Sequence, residues 1–279
     1  MVLMIIAALL VAGLCLGSFV NALVWRLRAQ AESEAAPGQA KRLSILHGRS
    51  MCPHCRHGLA AKDLVPVLSW LSLGGKCRYC GRPISAQYPL VEAATAGLFV
   101  ASYLWWPAAF TPFQTALFVI WLLLLTGLMA LLVYDLRWLL LPNKLVYPLS
   151  GLAALQAAAL VVAADDPLMT LLNMVLAVAV GGGLFYVLFQ LSGGKWIGGG
   201  DVKLGWLLGL IAATPARSLL LIFIAALLGS LVSLPLLAAN RLKRSSTIPF
   251  GPFLIVAIVI VQLFGADIIQ WYQKAFLGL

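Results

Sequence analysis

Between residues 93 and 134 the chain contains 42 consecutive residues without a charged side chain. About 20 apolar residues in a helix are enough to cross the hydrocarbon core of a bilayer. This run is therefore long enough for two crossings, and Pro107 and Pro112 lie in it where a helical hairpin would turn. An apolar run of this length is typical of membrane-spanning helices, so the sequence predicts a membrane protein.

The composition agrees with this prediction, because 62% of the 279 residues are hydrophobic, 10% are charged and the mean hydropathy is +1.00. We expect an all-α polytopic membrane protein with about eight transmembrane helices. The span at 204–213 is short, and a re-entrant segment would give the same pattern. The predicted spans are residues 1–25, a hairpin within 93–134, and residues 145–164, 168–191, 204–213, 218–239 and 248–266.

The basic residues predict the orientation of these spans. If the N-terminus is outside, four loops face the cytoplasm, and they hold 10, 2, 2 and 3 of the 19 Lys and Arg residues. An excess of Lys and Arg is the mark of cytoplasmic loops. The first span is expected to be retained rather than cleaved, because its basic residues follow it instead of preceding it. The four loops are residues 26–90, 135–144, 192–203 and 240–247.

Residues 26–90 form the sizeable polar segment and contain four of the five cysteines, as Cys52-Pro-His-Cys55 and Cys77-Arg-Tyr-Cys80. Two CxxC pairs with 21 residues between them approximate a zinc ribbon, in which four thiolates hold one Zn²⁺. Two alternatives are disulfides and a redox-active CxxC, but the cytoplasm keeps thiols reduced. Because so polar a loop would struggle to build a core, we predict a small zinc-binding domain with these four cysteines as ligands.

Two of the nine acidic residues lie where an apolar segment meets a loop. Asp135 ends the third predicted span and is followed by Pro142, while Asp201 follows the glycines 198–200, which we expect to hold a substrate in an extended form. An ionisable side chain near hydrocarbon is costly and marks a functional site. Two carboxylates that meet can share one proton, so that one activates water and the other protonates a substrate carbonyl.

Other interpretations of the two aspartates stay open. Each aspartate precedes a base by two positions, Arg137 or Lys203, and could form an ordinary ion pair at a helix end. A transporter would use the pair in a proton or cation relay, although such acids are expected near mid-membrane. A non-catalytic, zinc-stabilised membrane scaffold would bind a partner through residues 26–90.

The remaining charged residues suggest no further chemistry. Asp63 is expected to be solvated, and Glu92, at the start of the second predicted span, to complement a helix dipole. The net charge of +10 suits an anionic lipid surface. There is no interleaving of aromatic and basic residues that would indicate a nucleic-acid partner.

The motifs, taken in order, resemble those of bacterial prepilin peptidases, also called type IV leader peptidases. The resemblance covers nearly the whole chain and rests on residues 17–26, 49–55, 63–70, 75–80 and 84–92, on Asp135 with Pro142, and on Gly198-Gly-Gly-Asp-Val-Lys-Leu204, which has the GxGD pattern. It implies an aspartic endopeptidase that removes the basic leader from type IV prepilins or pseudopilins, at the cytoplasmic face of the bacterial inner membrane.

The resemblance also assigns roles to residues. Asp135 and Asp201 would be catalytic, and Gly198, Gly200, Lys203 and Pro142 would support them. The zinc ligands would be Cys52, Cys55, Cys77 and Cys80. Family members with the cysteine loop typically also methylate the new N-terminal amine with S-adenosylmethionine, but no glycine-rich fingerprint indicates where this chain would bind it.

Three domains are expected: a first transmembrane helix at 1–25, a cytoplasmic zinc-binding domain at 26–90 and a membrane peptidase domain at 91–279 with about seven further helices. The chain departs from the family in two places. Asn143 stands where relatives often carry an acid after the proline, and Trp196-Ile197 stands where Gly-Met is common ahead of the GxGD pattern.

Overall fold

The computed structural model describes residues 1–33, 43–44, 48–239 and 248–278, so the predicted cytoplasmic loop at 240–247 lies outside the described residues. Within those ranges the regular structure is helical and contains no strand beyond two isolated bridges, which confirms the predicted all-α class. The helices are α1 (Val2–Ser33), α2 (Leu68–Ser72), α3 (Gln87–Leu104), α4 (Pro112–Trp138), α5 (Asn143–Val162), α6 (Pro167–Val178), α7 (Leu184–Ser192), α8 (Gly199–Ala212), α9 (Pro215–Ala238) and α10 (Gly251–Tyr272).

The protein is a multi-pass membrane protein. Six helical segments among the described residues are long and apolar enough to cross a membrane. The predicted number of about eight spans is not confirmed, because the 18-residue α3 and the 14-residue α8 are not among them. The six segments are Val2–Glu32, Pro112–Trp138, Asn143–Val162, Pro167–Ser192, Pro215–Ala238 and Gly251–Phe276.

The chain divides into two compact units, Met1–Leu104 and Trp105–Leu279. In the first unit α1 packs along α3 at very short range, since a Cβ atom on Gly13 or Gly17 would lie 2.5 or 2.7 Å from a Cα atom of α3. Polar side chains of α1 hold the polar loop, and Arg26 donates a 2.8 Å hydrogen bond to the carbonyl of Gly48. The predicted division into three domains stays a prediction.

The second unit is built around α8. This helix packs against α5, α6, α7, α9 and α10, and Leu204, Leu207 and Leu208 on it are fully buried. The packing is close because a Cβ atom on Gly205 would lie 2.5 Å from the carbonyl oxygen of Gly181. The start of α8, the end of α4 and the start of α10 thereby come together at one end of the unit, as the contacts of Gly251 below show.

Candidate active site and metal centre

Asp135 lies in the last turn of α4 and only 5% of it is exposed. Its Oδ2 atom is buried and makes no hydrogen bond of normal geometry with a described residue, although the backbone N–H of Gly251 lies near the carboxylate. The helix ends three residues later, where Leu139 adopts a left-handed conformation with φ 55° and donates its N–H to the carbonyl of Asp135. Pro142 then occupies the position before α5, so both ends of the loop are fixed. A buried carboxylate oxygen without such a hydrogen bond is rare, and it points to a group that the protein leaves available for water or substrate.

Asp201 lies in the first turn of α8. Gly198 precedes the helix, and its carbonyl accepts the N–H of Asp201 at 3.0 Å. Gly199 and Gly200 belong to α8, whereas Gly198 before the helix has an extended backbone. That these glycines hold an extended substrate stays a prediction. Gly200 instead permits close packing, because a Cβ atom there would lie 3.3 Å from the Leu141 side chain.

The two aspartates come together in the second unit. The carboxylate of Asp201 is close enough to that of Asp135 for their negative charges to repel each other. The first residue of α10 lies at the same place, because a Cβ atom on Gly251 would be 2.5 Å from Asp135 Oδ2 and 3.5 Å from the Leu204 side chain. Leu204 is one turn beyond Asp201, so Gly251 contacts both helices that carry the aspartates.

Gly251 was missed by the sequence analysis. The signal was present as Pro249-Phe-Gly-Pro252, a glycine between an aromatic residue and a proline at the start of a predicted span. Such a pattern indicates the start of a helix, and Pro252 indeed occupies its first turn. Only the fold reveals that this helix start faces the Asp135 carboxylate.

Helix dipoles, rather than basic side chains, face the two carboxylates. Asp201 lies in the first turn of α8 and Asp135 faces the first residue of α10, and the N-terminal end of a helix attracts negative charge. Across the described ranges no salt bridge reaches either aspartate. Lys203 donates to Asn143 Oδ1 at 2.9 Å, and Arg137 lies over the Trp138 ring, so the described structure does not contain the helix-end ion pairs considered above.

The four predicted metal ligands also come together, in the first unit. The Sγ atoms of Cys52, Cys55, Cys77 and Cys80 all lie within 4.8 Å of one another. Those of Cys52 and Cys80 are 3.9 Å apart, too far for a disulfide. A tetrahedral Zn²⁺ with Zn–S bonds of about 2.3 Å requires thiolates about 3.8 Å apart. The cluster therefore fits a metal ion.

Each CxxC pair forms the same tight turn. The N–H of Cys52 donates to the carbonyl of His57, and the N–H of Cys77 donates to that of Arg82. The residue after the second cysteine adopts a left-handed conformation in both turns, with φ 56° at Arg56 and 67° at Gly81. Two equivalent knuckles that turn their thiols toward a common point are the geometry of a zinc ribbon.

The thiols differ in acidity. Burial opposes ionisation of Cys77, but the backbone N–H groups of Tyr79 and Cys80 and the neighbouring thiols outweigh it and lower its pKa to about 7. Burial raises the pKa of the Cys52 thiol. The backbone N–H of Arg82 favours the thiolate of Cys80, yet burial and the other thiols raise its pKa to about 11. A metal ion would have to displace protons from the last two.

Asp63 supports the second knuckle and is not simply solvated. Its Oδ1 atom lies 2.7 Å from the Arg78 guanidinium and its Oδ2 atom accepts from the Tyr79 hydroxyl at 2.9 Å, with 3% of the side chain exposed. The Arg78 guanidinium holds the pKa of Asp63 below its usual range, helped by the Tyr79 hydroxyl. The Tyr79 ring packs against the His57 ring at an interplanar angle of 31° with centroids 3.8 Å apart, which joins the two knuckles.

Glu92 does not lie in the first turn of a helix, where a carboxylate would complement the helix dipole. The helix α3 begins at Gln87, so Glu92 lies in its second turn, and it is buried. Its carboxylate accepts the N–H of Val67 at 2.7 Å. Glu92 therefore attaches the polar loop to α3.

Fold and sites together define a multi-pass helical membrane protein that brings two aspartates together in one unit and four cysteines together in the other. The chain belongs to the type IV leader peptidase family. Residues 122–234 match the model of that family, and residues 11–106 match the model of the bacterial peptidase A24 N-terminal domain.

Several curated relatives are similar over most of their length. A prepilin leader peptidase/N-methyltransferase of Aeromonas hydrophila is 34% identical over 281 residues, which cover 95% of this chain and 92% of that protein. Proteins of the same name from Bacillus subtilis and Pseudomonas aeruginosa are 31% and 32% identical, covering 85% and 94% of this chain and 90% and 91% of their own. No solved structure matches the chain.

Proposed function

We propose that this chain is a bifunctional prepilin leader peptidase and N-methyltransferase. It cleaves the basic leader from type IV prepilins or pseudopilins at the cytoplasmic face of the bacterial inner membrane, with Asp135 and Asp201 as the catalytic residues. The observation that carries the proposal is the buried Asp135 carboxylate, whose Oδ2 atom makes no hydrogen bond of normal geometry with a described residue, and which lies close to the helix start that carries Asp201. Membership of the leader peptidase family supports it.

The proposed chemistry needs only these two side chains and one water. One carboxylate accepts a proton as water attacks the scissile carbonyl carbon, and the partner carboxyl gives its proton to the carbonyl oxygen. The resulting gem-diol collapses, the C–N bond breaks, and a carboxyl returns a proton to the departing amine. The leader leaves with a carboxyl terminus, and the mature chain begins with a free amine.

The supporting residues fix the position of Asp201 relative to Asp135. Gly200 packs on Leu141, and Lys203 donates to Asn143, so two contacts join the start of α8 to the loop that follows Asp135. Pro142 fixes the start of α5 between those two contact residues. Gly198 accepts the N–H of Asp201 through its carbonyl and sets the first turn of α8. We assign these four residues to positioning rather than to proton transfer.

Zinc is the metal we propose for the four cysteines, with a structural role. The support is the fit of the thiol spacing to tetrahedral coordination and the pair of equivalent knuckles. Four protein ligands leave no open position, as is usual for a structural site.

For the second activity we propose S-adenosylmethionine as the methyl donor. Its sulfonium group supplies a methyl group to the amine that cleavage exposes. The support is the name shared by the relatives, and no residue of this chain is assigned to the donor.

A cleavage assay tests the peptidase. The purified protein is given a prepilin, and leader removal is followed for Asp135→Asn, Asp201→Asn and the control Asp267→Asn, whose aspartate is exposed near the end of α10. Because Asn cannot transfer the proton, each of the first two variants should lose about 10²–10⁴-fold in rate. The control should cleave normally.

The same assay separates the alternatives. A transporter or a scaffold predicts no cleavage by the unmodified protein, and a scaffold predicts that both aspartate variants differ only in stability. Folded Asp135→Asn or Asp201→Asn protein that cleaves at the unmodified rate would overturn the assignment. Adding S-adenosylmethionine and weighing the product by mass spectrometry tests the methyl transfer independently.

A further inference from the structure

An aliphatic face is exposed in the polar loop. Leu64, Val65, Leu68 and Leu71, around the short helix α2, are 40%, 43%, 64% and 59% exposed. We call these four residues the leucine face. Among the described residues 48–86, Tyr79 is the other exposed large hydrophobic side chain. A group of four exposed aliphatic residues indicates a surface that contacts something apolar.

The leucine face is held rigidly from behind. Val67, at the start of α2, has φ 59°, which is unfavourable for a β-branched residue, and its N–H donates to the buried Glu92 carboxylate at 2.7 Å. Trp70 donates its indole N–H to the carbonyl of Ile84 at 3.1 Å, and its ring lies against Gly75. The exposure of the four residues is therefore a built feature and not the result of a loose segment.

The same hydrogen bond places the start of α2 beside the second turn of α3. Glu92 lies in the second turn of α3, two residues after Leu90, which is 67% exposed. Because Val67 contacts Glu92 directly, α2 lies at the level where α3 leaves the polar loop. Leu90 and the leucine face are therefore both exposed near the start of α3, and α3 packs along α1, which is long and apolar enough to cross a membrane.

Charges around the leucine face suit an anionic lipid surface. Lys62 lies two residues before the face and Lys76 five residues after it, and both are exposed, while the intervening Asp63 is paired with Arg78. The whole loop at 26–90 has ten basic residues against three acidic ones. Aliphatic side chains bordered by lysines are the usual composition of a segment that lies in a membrane interface.

We propose that the leucine face inserts into the headgroup and upper acyl region of an anionic bilayer, with Lys62 and Lys76 at the level of the lipid phosphates. The unit that carries the four-cysteine cluster then lies on the membrane surface, with α2 attached to α3 by the hydrogen bond from Val67 to Glu92. This interaction is additional to the proposed peptidase and methyl transfer, and it does not depend on either of them.

Photo-crosslinking of the full chain in nanodiscs tests the proposal. The photoreactive residue p-benzoylphenylalanine replaces Leu68 in one sample and Arg82, which is exposed on the second knuckle, in the control. The nanodiscs contain phosphatidylglycerol and phosphatidylcholine, and adducts are identified by mass. We expect lipid adducts at position 68 and few at position 82.

One further sample makes the outcome decisive. Lys62→Gln together with Lys76→Gln should lower the lipid adduct at position 68 at least about threefold, because each lysine near an anionic surface contributes to binding. Zinc content and prepilin cleavage are measured on every sample, so a failure of the proposed function is recognised separately. If position 68 forms adducts only with prepilin, only with a second copy of the chain, or with no partner, the lipid assignment is overturned.

Discussion

The hydrogen atom that serves as the side chain of residue 251 determines the room left for the Asp135 carboxylate. A methyl group on Gly251 would lie 2.5 Å from Asp135 Oδ2, far inside contact distance. The carboxylate sits at the end of a side chain and can rotate away, so the protein should still fold. Rotation would, however, move the buried oxygen away from its position near Asp201. The substitution should therefore change the geometry of the two carboxylates rather than the stability of the fold.

We therefore expect Gly251→Ala to lower kcat for leader cleavage by about 10²-fold, since a misplacement of about 1 Å in a catalytic group has an effect of this size. KM should change little, because the added methyl group displaces the Asp135 side chain and we expect it to leave substrate binding unchanged. Gly151→Ala is the matched control, a glycine inside α5 with nothing within 4 Å of an added methyl group, and it should cleave normally. Steady-state kinetics of both variants check the prediction. Equal kcat values would show that Gly251 does not position Asp135.

Sequence alone could single out Asp135 and Asp201 because acids are scarce in an apolar chain and stand out at the ends of spans. It could not single out Gly251, because its importance depends on which carboxylate its helix start faces. The same holds for Glu92, whose partner Val67 is 25 residues away in the chain. Residues that act through tertiary contacts carry no local pattern, whereas residues that carry scarce chemistry do.

The two knuckles depend on thiolates, and this makes metal binding sensitive to pH. Cys77, with its pKa lowered to about 7, is a thiolate above that pH and becomes protonated as the pH falls through it. Cys52 and Cys80, whose pKa values are raised, must release their protons to the solution when the metal binds. Protons therefore compete with the metal throughout the neutral pH range, and below about pH 7 a further proton competes at Cys77.

We expect zinc to be removed by a chelator much more readily at pH 6 than at pH 8, with the apparent affinity falling at least about tenfold for each pH unit. Zinc released at fixed chelator concentration, measured by elemental analysis, checks this. Cys52→Ser with Cys55→Ser should contain no zinc, and the loop at 48–86 should then become sensitive to protease. His54→Ala, outside the thiol cluster, should retain zinc. Equal zinc retention at pH 6 and pH 8 would contradict the expectation.

Hydropathy locates the apolar part of a helix and not the end of the helix. The first predicted span stops at residue 25, yet α1 continues to Ser33. The added residues are mostly good helix formers, and Arg28 pairs with Glu32 one turn away at 2.7 Å. The predicted turn of the hairpin agrees better with the structure. Pro112 starts α4, and Thr111 caps the helix by accepting the N–H of Gln114. Local capping signals can be read from sequence, whereas a helix that continues beyond the lipid gives no hydropathy signal.

The length and surroundings of α8 in the second unit indicate whether this helix crosses the membrane or turns back within it. With 14 residues, α8 is about 21 Å long, shorter than the hydrocarbon core of about 30 Å. It is surrounded by other helices, so its short length exposes little backbone to lipid. Its last residue is separated from α9 by only Ala213 and Thr214, and Thr214 caps α9 by accepting the N–H of Arg217.

The contacts of Gly251 favour a crossing. Gly251, at the start of α10, touches Asp135 at the end of α4 and Leu204 near the start of α8, so these three helix ends lie on the same side. The chain leaves that side along α8 and must come back along α9, because α10 begins there again. A re-entrant α8 would leave α9 to cross alone and would put Gly251 on the side opposite Asp135.

We therefore predict that α10 ends on the side opposite the aspartates, which is the periplasm if the basic loops are cytoplasmic. Alkaline phosphatase fused after Leu279 should be active, because it folds only when exported, and the same enzyme fused after Ala239 should be inactive. A fusion after Pro107, in the loop between α3 and α4, serves as the positive control for export. The activities of the three fusions, corrected for expression, measure the topology. An inactive fusion at Leu279 together with an active one at Ala239 would mean that α8 turns back, and the contact between Gly251 and Asp135 could then not exist in the membrane.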